Sequence, residues 1–402
     1  MDMKLLEVKP GDKALIKEFL EIPARLHMDD PNFIRPLDKD IEFVFDPAKN
    51  KFWRHGKAIR WILQDGSGKT IGRVAAFINE RTAKTEDQPT GGMGFFVCID
   101  NQEAANFLFD ACKKWLEDLD MEAMDGPINF GDRNAWWGLL VEGYHEPVYQ
   151  MNYNPPYYVP LFENYGWQTY FKQFVLQRNI LDPVQPKFKE KYERLMEDGD
   201  YEIRHYEKKK LIEYGEDFLH IYNNAWGGHA NFKKMRREQA IKLFKSLKPI
   251  LAPELAWFAY YKGEPVGFFI MIPDMNQVFK DFNGKFGLVQ KLKTWWRIKR
   301  KYSNKCYGIV FGVVPSQQGK GVDGGVIYGA SLVIHPLNFW NHMEMVWIGD
   351  FNVKMLKVAK DVGGEVYKTY HTMRYLFDRT IPFKRLPLMT EKKKEEASAE
   401  EE

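Results

Sequence analysis

Residues 307–334 read YGIVFGVVPSQQGKGVDGGVIYGASLVI, and their order of residue types suits one kind of chemistry, the holding of a phosphate. The first eight are uncharged and rich in valine, isoleucine and aromatics, which predicts a strand buried on both faces. Pro315 ends it. Gln318-Gly319-Lys320-Gly321-Val322 then supplies two glycines at a turn, and Val322, Val326, Ile327, Leu332 and Val333 follow at roughly helical spacing. Backbone N–H groups at a helix start, left uncovered because glycine has no Cβ, form an anion cradle reinforced by the positive end of the helix dipole.

The turn is neither a Walker loop nor a dinucleotide fingerprint, because the glycine spacing of both is missing. Residues 314–323, VPSQQGKGVD, instead resemble the pyrophosphate loop of the GNAT acyltransferase superfamily, V-x-P-x-x-[QR]-x-x-G-x-[GA] and its variant with R-G-x-G-[IV]-[GA]. Gln318 stands where arginine is common, and Asp323 replaces the final small residue, which places a carboxylate near the phosphates.

The elements around this turn fall into two similar halves. In the first, residues 13–25 and 103–115 have amphipathic helical patterns, residues 59–63 and 70–77 form a hairpin about Asp65-Gly66-Ser67-Gly68, and residues 95–99 form a strand. Residues 126–158 read as a long connection holding Trp136 and Trp137. A Pro-interrupted linker at residues 182–187 follows. The second half has helices at 218–225 and 240–247, a hairpin at 255–261 and 266–272, the strand and helix described above, a strand at 343–348, a helix at 352–361 and a last strand at 365–377. Trp61 and Trp257, Gly72 and Gly267, and Gly166 and Gly363 are offset by 196, 195 and 197 residues, as expected of a duplicated unit.

With both halves in view the resemblance extends to tandem GNAT proteins. It implies an α/β chain of two GNAT-like domains, each a mostly antiparallel mixed sheet flanked by helices. The expected boundaries are 1–181 for a domain lacking the cofactor loop, 188–385 for the one that carries it, and 386–402 for a charged, disordered tail. In the first copy the matching turn, Ile99-Asp100-Asn101-Gln102-Glu103, has no glycine and two acids, which disfavour a pyrophosphate.

The resemblance further implies acetyl-CoA or another acyl-CoA as cofactor, held by Gln318, Gly319, Lys320, Gly321, Val322, Asp323 and Asn352. The backbone N–H groups of Val313 and Val314 would polarise the thioester carbonyl. The tyrosine that many relatives use as general acid corresponds to Ala359, and the opening strand has no carboxylate, so Glu344 on the next strand is the catalytic candidate. Trp226 and His229 lie in the loop expected to meet the acceptor. Asn352 has a second role open to it as a helix N-cap, Glu344 as a structural acid, and Trp226 as a packed side chain in an ordinary turn.

A chain of 402 residues, 45% hydrophobic, can bury two cores, and a net charge of +3 gives no ground for a nucleic-acid partner. Cys98, Cys112 and Cys306 lack metal or disulfide spacing, and no signal peptide or long apolar run is visible. A metal-free cytoplasmic protein without a membrane span is expected. Residues 278–305 carry nine lysines and arginines with Trp295-Trp296. Such a stripe suits RNA, an anionic membrane or the cofactor's phosphates, while the plainest expectation is a solvated helix face.

These readings lead to an acyl-CoA-dependent N-acyltransferase acting on a small-molecule or peptide amine. Two alternatives stand beside it. A CoA-binding scaffold or sensor is favoured by Asp323 and by the lack of an obvious acid. A Fem-like aminoacyltransferase is disfavoured by the intact Gly319-Lys320-Gly321. Acceptor, acyl length and oligomeric state stay open.

Overall fold

The computed structural model describes residues 2–85, 88–227 and 234–388. The first half runs β1 (Met3–Glu7), α1 (Lys13–Leu26), α2 (Asp38–Phe45), β2 (Gly56–Asp65), β3 (Thr70–Asn79), β4 (Thr90–Cys98), α3 (Gln102–Glu117), β5 (Ala123–Gly126), β6 (Leu139–Glu142), α4 (Tyr158–Tyr165) and β7 (Gln168–Asn179). The second begins with α5 (Pro186–Asp198), β8 (Tyr201–His205), α6 (Leu211–Ala225), α7 (Arg237–Leu247), β9 (Ala256–Tyr261) and β10 (Glu264–Pro273). It continues through α8 (Met275–Phe279), α9 (Leu288–Lys299), β11 (Lys305–Val313), α10 (Val322–Leu337), β12 (His342–Gly349), α11 (Val353–Asp361) and β13 (Glu365–Leu376).

All strands join one mixed sheet in the order β1-β2-β3-β4-β5-β13-β7-β12-β11-β10-β9-β8, with β6 added beside β13. Every pairing is antiparallel except β4 with β5 and β11 with β12. The two halves have matching strand orders, but each sheet is completed by the other half's last strand: β13 lies against β5, and β7 against β12. These two strands pair with each other along most of their length, so the hydrogen-bonded ladder is unbroken where the halves meet.

Several elements differ from the sequence expectation. The long connection at 126–158 contains β6, and β1 and α2 form outside the elements expected of the first half. The linker at 182–187 leads directly into α5, whose Pro186 sits at the first helical position, where its missing N–H costs nothing. This helix buries only Phe188 and Leu195, which with Tyr192 and Met196 recur at helical spacing within an otherwise charged stretch that carries no motif.

The two buried α5 residues meet the glycines of α10. A Cβ on Gly324 would fall 2.8 Å from the Phe188 ring, and one on Gly325 would fall 2.6 Å from a Leu195 methyl. The glycine stripe therefore lets α5 approach α10, which sets where the α5 side chains reach. Gly325→Val should destabilise the protein by about 1–3 kcal/mol through overpacking. Urea unfolding measures this, and an unchanged midpoint would contradict the close approach.

Candidate active site

The β11–β12 ladder runs from Lys305 opposite His342 to Gly308 opposite Met345 and then stops. Both strands are irregular at this point. Ile309 is the extra residue where β11 pairs with β10, and Val346 and Trp347 lie in the register shift of β12 against β7. Bulges bend and twist a strand, so the two strands part instead of continuing in register. The gap opens into a cavity of about 780 Å³ between α10 and α11. Its walls are largely apolar, with Val310, Ile327, Ala330, Ile334, Met345 and Val358 among them.

The glycine turn lies at the mouth. Gly319 (φ 77°) and Gly321 (φ 97°) are both in the left-handed region, where a side chain is disfavoured. The N–H groups of Gln318 and Lys320 make long bonds within the turn, 3.3 Å to Pro315 O and 3.4 Å to Gln317 O. Those of Gly319, Gly321, Val322 and Asp323 have no backbone acceptor among the described residues. The donor set thus differs from a continuous run over 318–322. The Gln318 side chain, where arginine was expected, turns back to donate to Val313 O at 3.1 Å.

Asp323 does not leave a bare negative charge at the cradle. Lys191 of α5 donates to both its carboxylate oxygens at 3.0 and 3.3 Å, and Arg194 donates to Lys320 O at 3.1 Å. Both cations come from the helix drawn in by the α10 glycines. Neither is legible from the loop's own sequence, because both lie more than a hundred residues from it and carry no motif.

Val314 donates its N–H to Val266 O at 2.9 Å, so it cannot polarise a thioester carbonyl. Strand amides alternate in direction, and the Val313 N–H therefore points to the opposite edge, towards the cleft. Of the two expected donors, Val313 has the geometry. Trp226 lies over Gly312, where a Cβ would come within 2.8 Å of the indole, and stacks on Tyr222. Asn352 both lines the cleft and caps α11, its Oδ1 accepting from Met355 N at 3.2 Å. His229 falls outside the described residues.

Glu344 is not in the cleft. Side chains alternate along a strand, and Met343 and Met345 face the cavity, which sends Glu344 to the other face of the sheet. There it is buried, with Lys368 Nζ at 2.7 and 2.9 Å and His342 Nε2 at 3.3 Å. Burial alone would raise its carboxyl, but Lys368 and His342 outweigh that and hold it below its ordinary value. The placement corrects the expectation of a base facing the cofactor. The ionisable side chains that line the cleft are Arg178, Asp323, His335 and Lys354. His335 is fixed at the α10 end by Ile180 O, 2.7 Å from its Nε2.

In the first half the corresponding opening is filled. The β4–β5 ladder ends at Gly92, and the space beyond holds Arg73, His27 and Tyr158 around a cavity of about 70 Å³. Asn101 caps α3 by accepting from Ala104 N at 2.8 Å, which occupies one of the donors an anion would need. Among the described residues, no cluster of His, Cys, Asp and Glu could hold a metal, and no helix is long and apolar enough to cross a membrane.

No protein-family model matches the chain. A bacterial ceramide synthase of Caulobacter vibrioides is 28% identical over 375 residues, covering 92% of this chain and 96% of that protein. Protein YghO of Escherichia coli is 26% identical over 368 residues, or 89% and 92% of the two chains. Among solved structures, a tandem GNAT protein from the clavulanic acid biosynthesis pathway matches with a TM-score of 0.53 at 10% identity, over 95% of this chain and all of that one. A GCN5-related glucosamine N-acetyltransferase region in a fungal multi-domain β-N-acetylglucosaminidase matches with a TM-score of 0.53 at 11% identity; 93% of this chain is covered, but the chain spans only 38% of that protein. The architecture is thus a tandem GNAT fold.

Proposed function

Taking the tandem GNAT fold as the premise, we propose that this protein is an acyl-CoA-dependent N-acyltransferase that joins a long acyl chain to a long-chain amino alcohol. The observation that carries the reading is the combination of a glycine cradle at the cleft mouth with a long apolar interior. From Asp323 to His335, α10 borders the cavity over about 18 Å at 1.5 Å per residue, a length suited to an extended aliphatic group. The relative named a bacterial ceramide synthase supports the acceptor class, since a ceramide is an N-acylated long-chain amino alcohol.

Acyl-CoA supplies an activated acyl thioester, whose C–S bond is exchanged for an amide C–N bond with release of the thiol and loss of one proton from nitrogen. The chain's residues bind and orient. The N–H groups of Gly319, Gly321, Val322 and Asp323 face the phosphates with Arg194 beside them, and Lys191 neutralises the Asp323 carboxylate. The Val313 N–H meets the charge developing on the carbonyl oxygen. With Glu344 on the other face, the cleft works chiefly through positioning and this backbone donor.

The test supplies acetyl-CoA or a long-chain acyl-CoA, each with a short amine and with a long-chain amino alcohol, and measures thiol release and amide mass. Long-chain amide is expected. Ala330→Phe, which narrows the cleft, should shift the preference towards shorter acyl chains. Acyl-CoA binding without thiol release from any pair would replace this reading with the CoA-binding scaffold.

A further inference from the structure

The basic segment forms a helix that is turned inside out relative to an ordinary surface helix. Leu288, Leu292, Trp295 and Trp296 of α9 are 80%, 69%, 58% and 50% exposed, and Val289 is exposed beside them. No residue of α9 is buried. Projected at about 100° per residue, these five side chains fall within one sector about 120° wide, with Lys291 on one flank, Lys293 and Arg300 on the other, and Lys299 within it at the last helical position.

The helix is attached mainly through its polar side. Arg297 donates to Asp281 at 2.5 and 2.7 Å and to Val278 O at 2.5 Å, with the Phe282 and Tyr302 rings against its guanidinium. Ile298 completes the attachment by packing on the small core that includes Leu37, Val278 and Phe279. The apolar face is thereby held outward by a fixed ion pair rather than by a hinge.

We propose that α9 docks this protein on an anionic phospholipid surface, lying flat with its apolar sector in the headgroup–acyl boundary. Charge complementarity selects this occupant. Residues 288–305 contain no acid, and Lys291, Lys299 and Arg300 have no acidic partner among the described residues. Lys299 and Arg300 instead lie over the two indoles, with Lys299 Nζ 4.1 Å and the Arg300 guanidinium 5.5 Å from the ring centroids. Tryptophan flanked by cations suits the boundary between water and lipid. A solvated helix face would not present five large apolar side chains together. The docking rests on α9 alone and stands apart from the proposed reaction.

The test is flotation of the full chain with vesicles of equal parts phosphatidylcholine and phosphatidylglycerol, against vesicles of phosphatidylcholine alone. Binding to the mixed vesicles is expected, weakened by salt. Lys291→Ala/Lys299→Ala/Arg300→Ala should weaken it about a hundredfold, since a basic residue near an anionic surface contributes about tenfold or somewhat less. Trp295→Ala/Trp296→Ala should weaken it at least about tenfold. These side chains are exposed, and unchanged thermal unfolding would establish that the variants fold. Equal binding to both vesicle types, or no flotation, would overturn the proposal. So would self-association of the unmodified protein in analytical ultracentrifugation that the tryptophan variant abolishes while flotation is unaffected, because the face would then belong to a second copy of the chain.

Discussion

Replacing Gly321 by valine is expected to weaken acyl-CoA binding by about ten- to a hundredfold. Gly321 has φ 97° and caps α10, and holding a β-branched residue in the left-handed region costs about 1–3 kcal/mol. The added side chain would also start 2.8 Å from Arg194 Nη2 and 3.2 Å from the Lys191 stem, displacing the two cations that border the cradle. Lys320→Ala should cost no more than about fivefold, because an exposed charge is screened by water and salt. Asp100→Ala, at the capped turn of the first half, should leave binding unchanged. Calorimetric titration of acetyl-CoA into the three variants reads this ranking, with circular dichroism to verify folding. A Gly321→Val protein that binds as tightly as the unmodified one would remove the cradle from the proposed site.

The second large effect concerns stability. Lys368→Met should destabilise the fold by about 3–5 kcal/mol at neutral pH, because Glu344 would keep a buried charge without its partner. In the unmodified protein the Glu344 carboxyl is held below its ordinary value of 4.5, so its contribution is present above that value and is lost as pH falls through the lowered one. Without Lys368 the burial effect dominates and the carboxyl rises. The variant then loses stability as pH rises through the raised value, and its deficit should narrow in mild acid. Glu344→Gln/Lys368→Met should recover part of the loss, since neither remaining group is charged. Urea unfolding at neutral and mildly acid pH checks the sign. A deficit that widened in acid would mean that Glu344 is not the group left unpaired.

Placing Glu344 on the other sheet face also changes which experiments bear on catalysis. A loss of activity on replacing Glu344 would be expected from the broken ion pair alone, so it would not identify a base unless stability were measured on the same protein. In the proposed reaction Val313 would contribute only its backbone N–H, and no side-chain replacement there removes it.

The run 307–334 was legible because each of its signals is local. A charge-free β-branched strand, a proline that ends it and two glycines that permit positive φ act within a few residues of one another, and β11, the turn and α10 form where they were expected. The duplicated order of strands was legible for the same reason, from repeated hairpins and turns. What completes the site depends on contacts between distant segments. Lys191 and Arg194 reach the loop only because glycines in α10 admit α5, and nothing in the sequence of α5 indicates that approach. The commitment of the Val314 amide to Val266 depends on the register of β10 against β11. Glu344 illustrates the limit most directly: its strand was identified, but which face it points to followed from register and bulges, since one residue's shift exchanges the faces. The exchange of β7 and β13 was equally hidden, because a strand's sequence specifies its alternating faces but not which half of the chain supplies its neighbours. On α9 the basic and aromatic composition was plain, while its outward apolar sector was decided by the Arg297–Asp281 pair, which fixes the helix by its polar side.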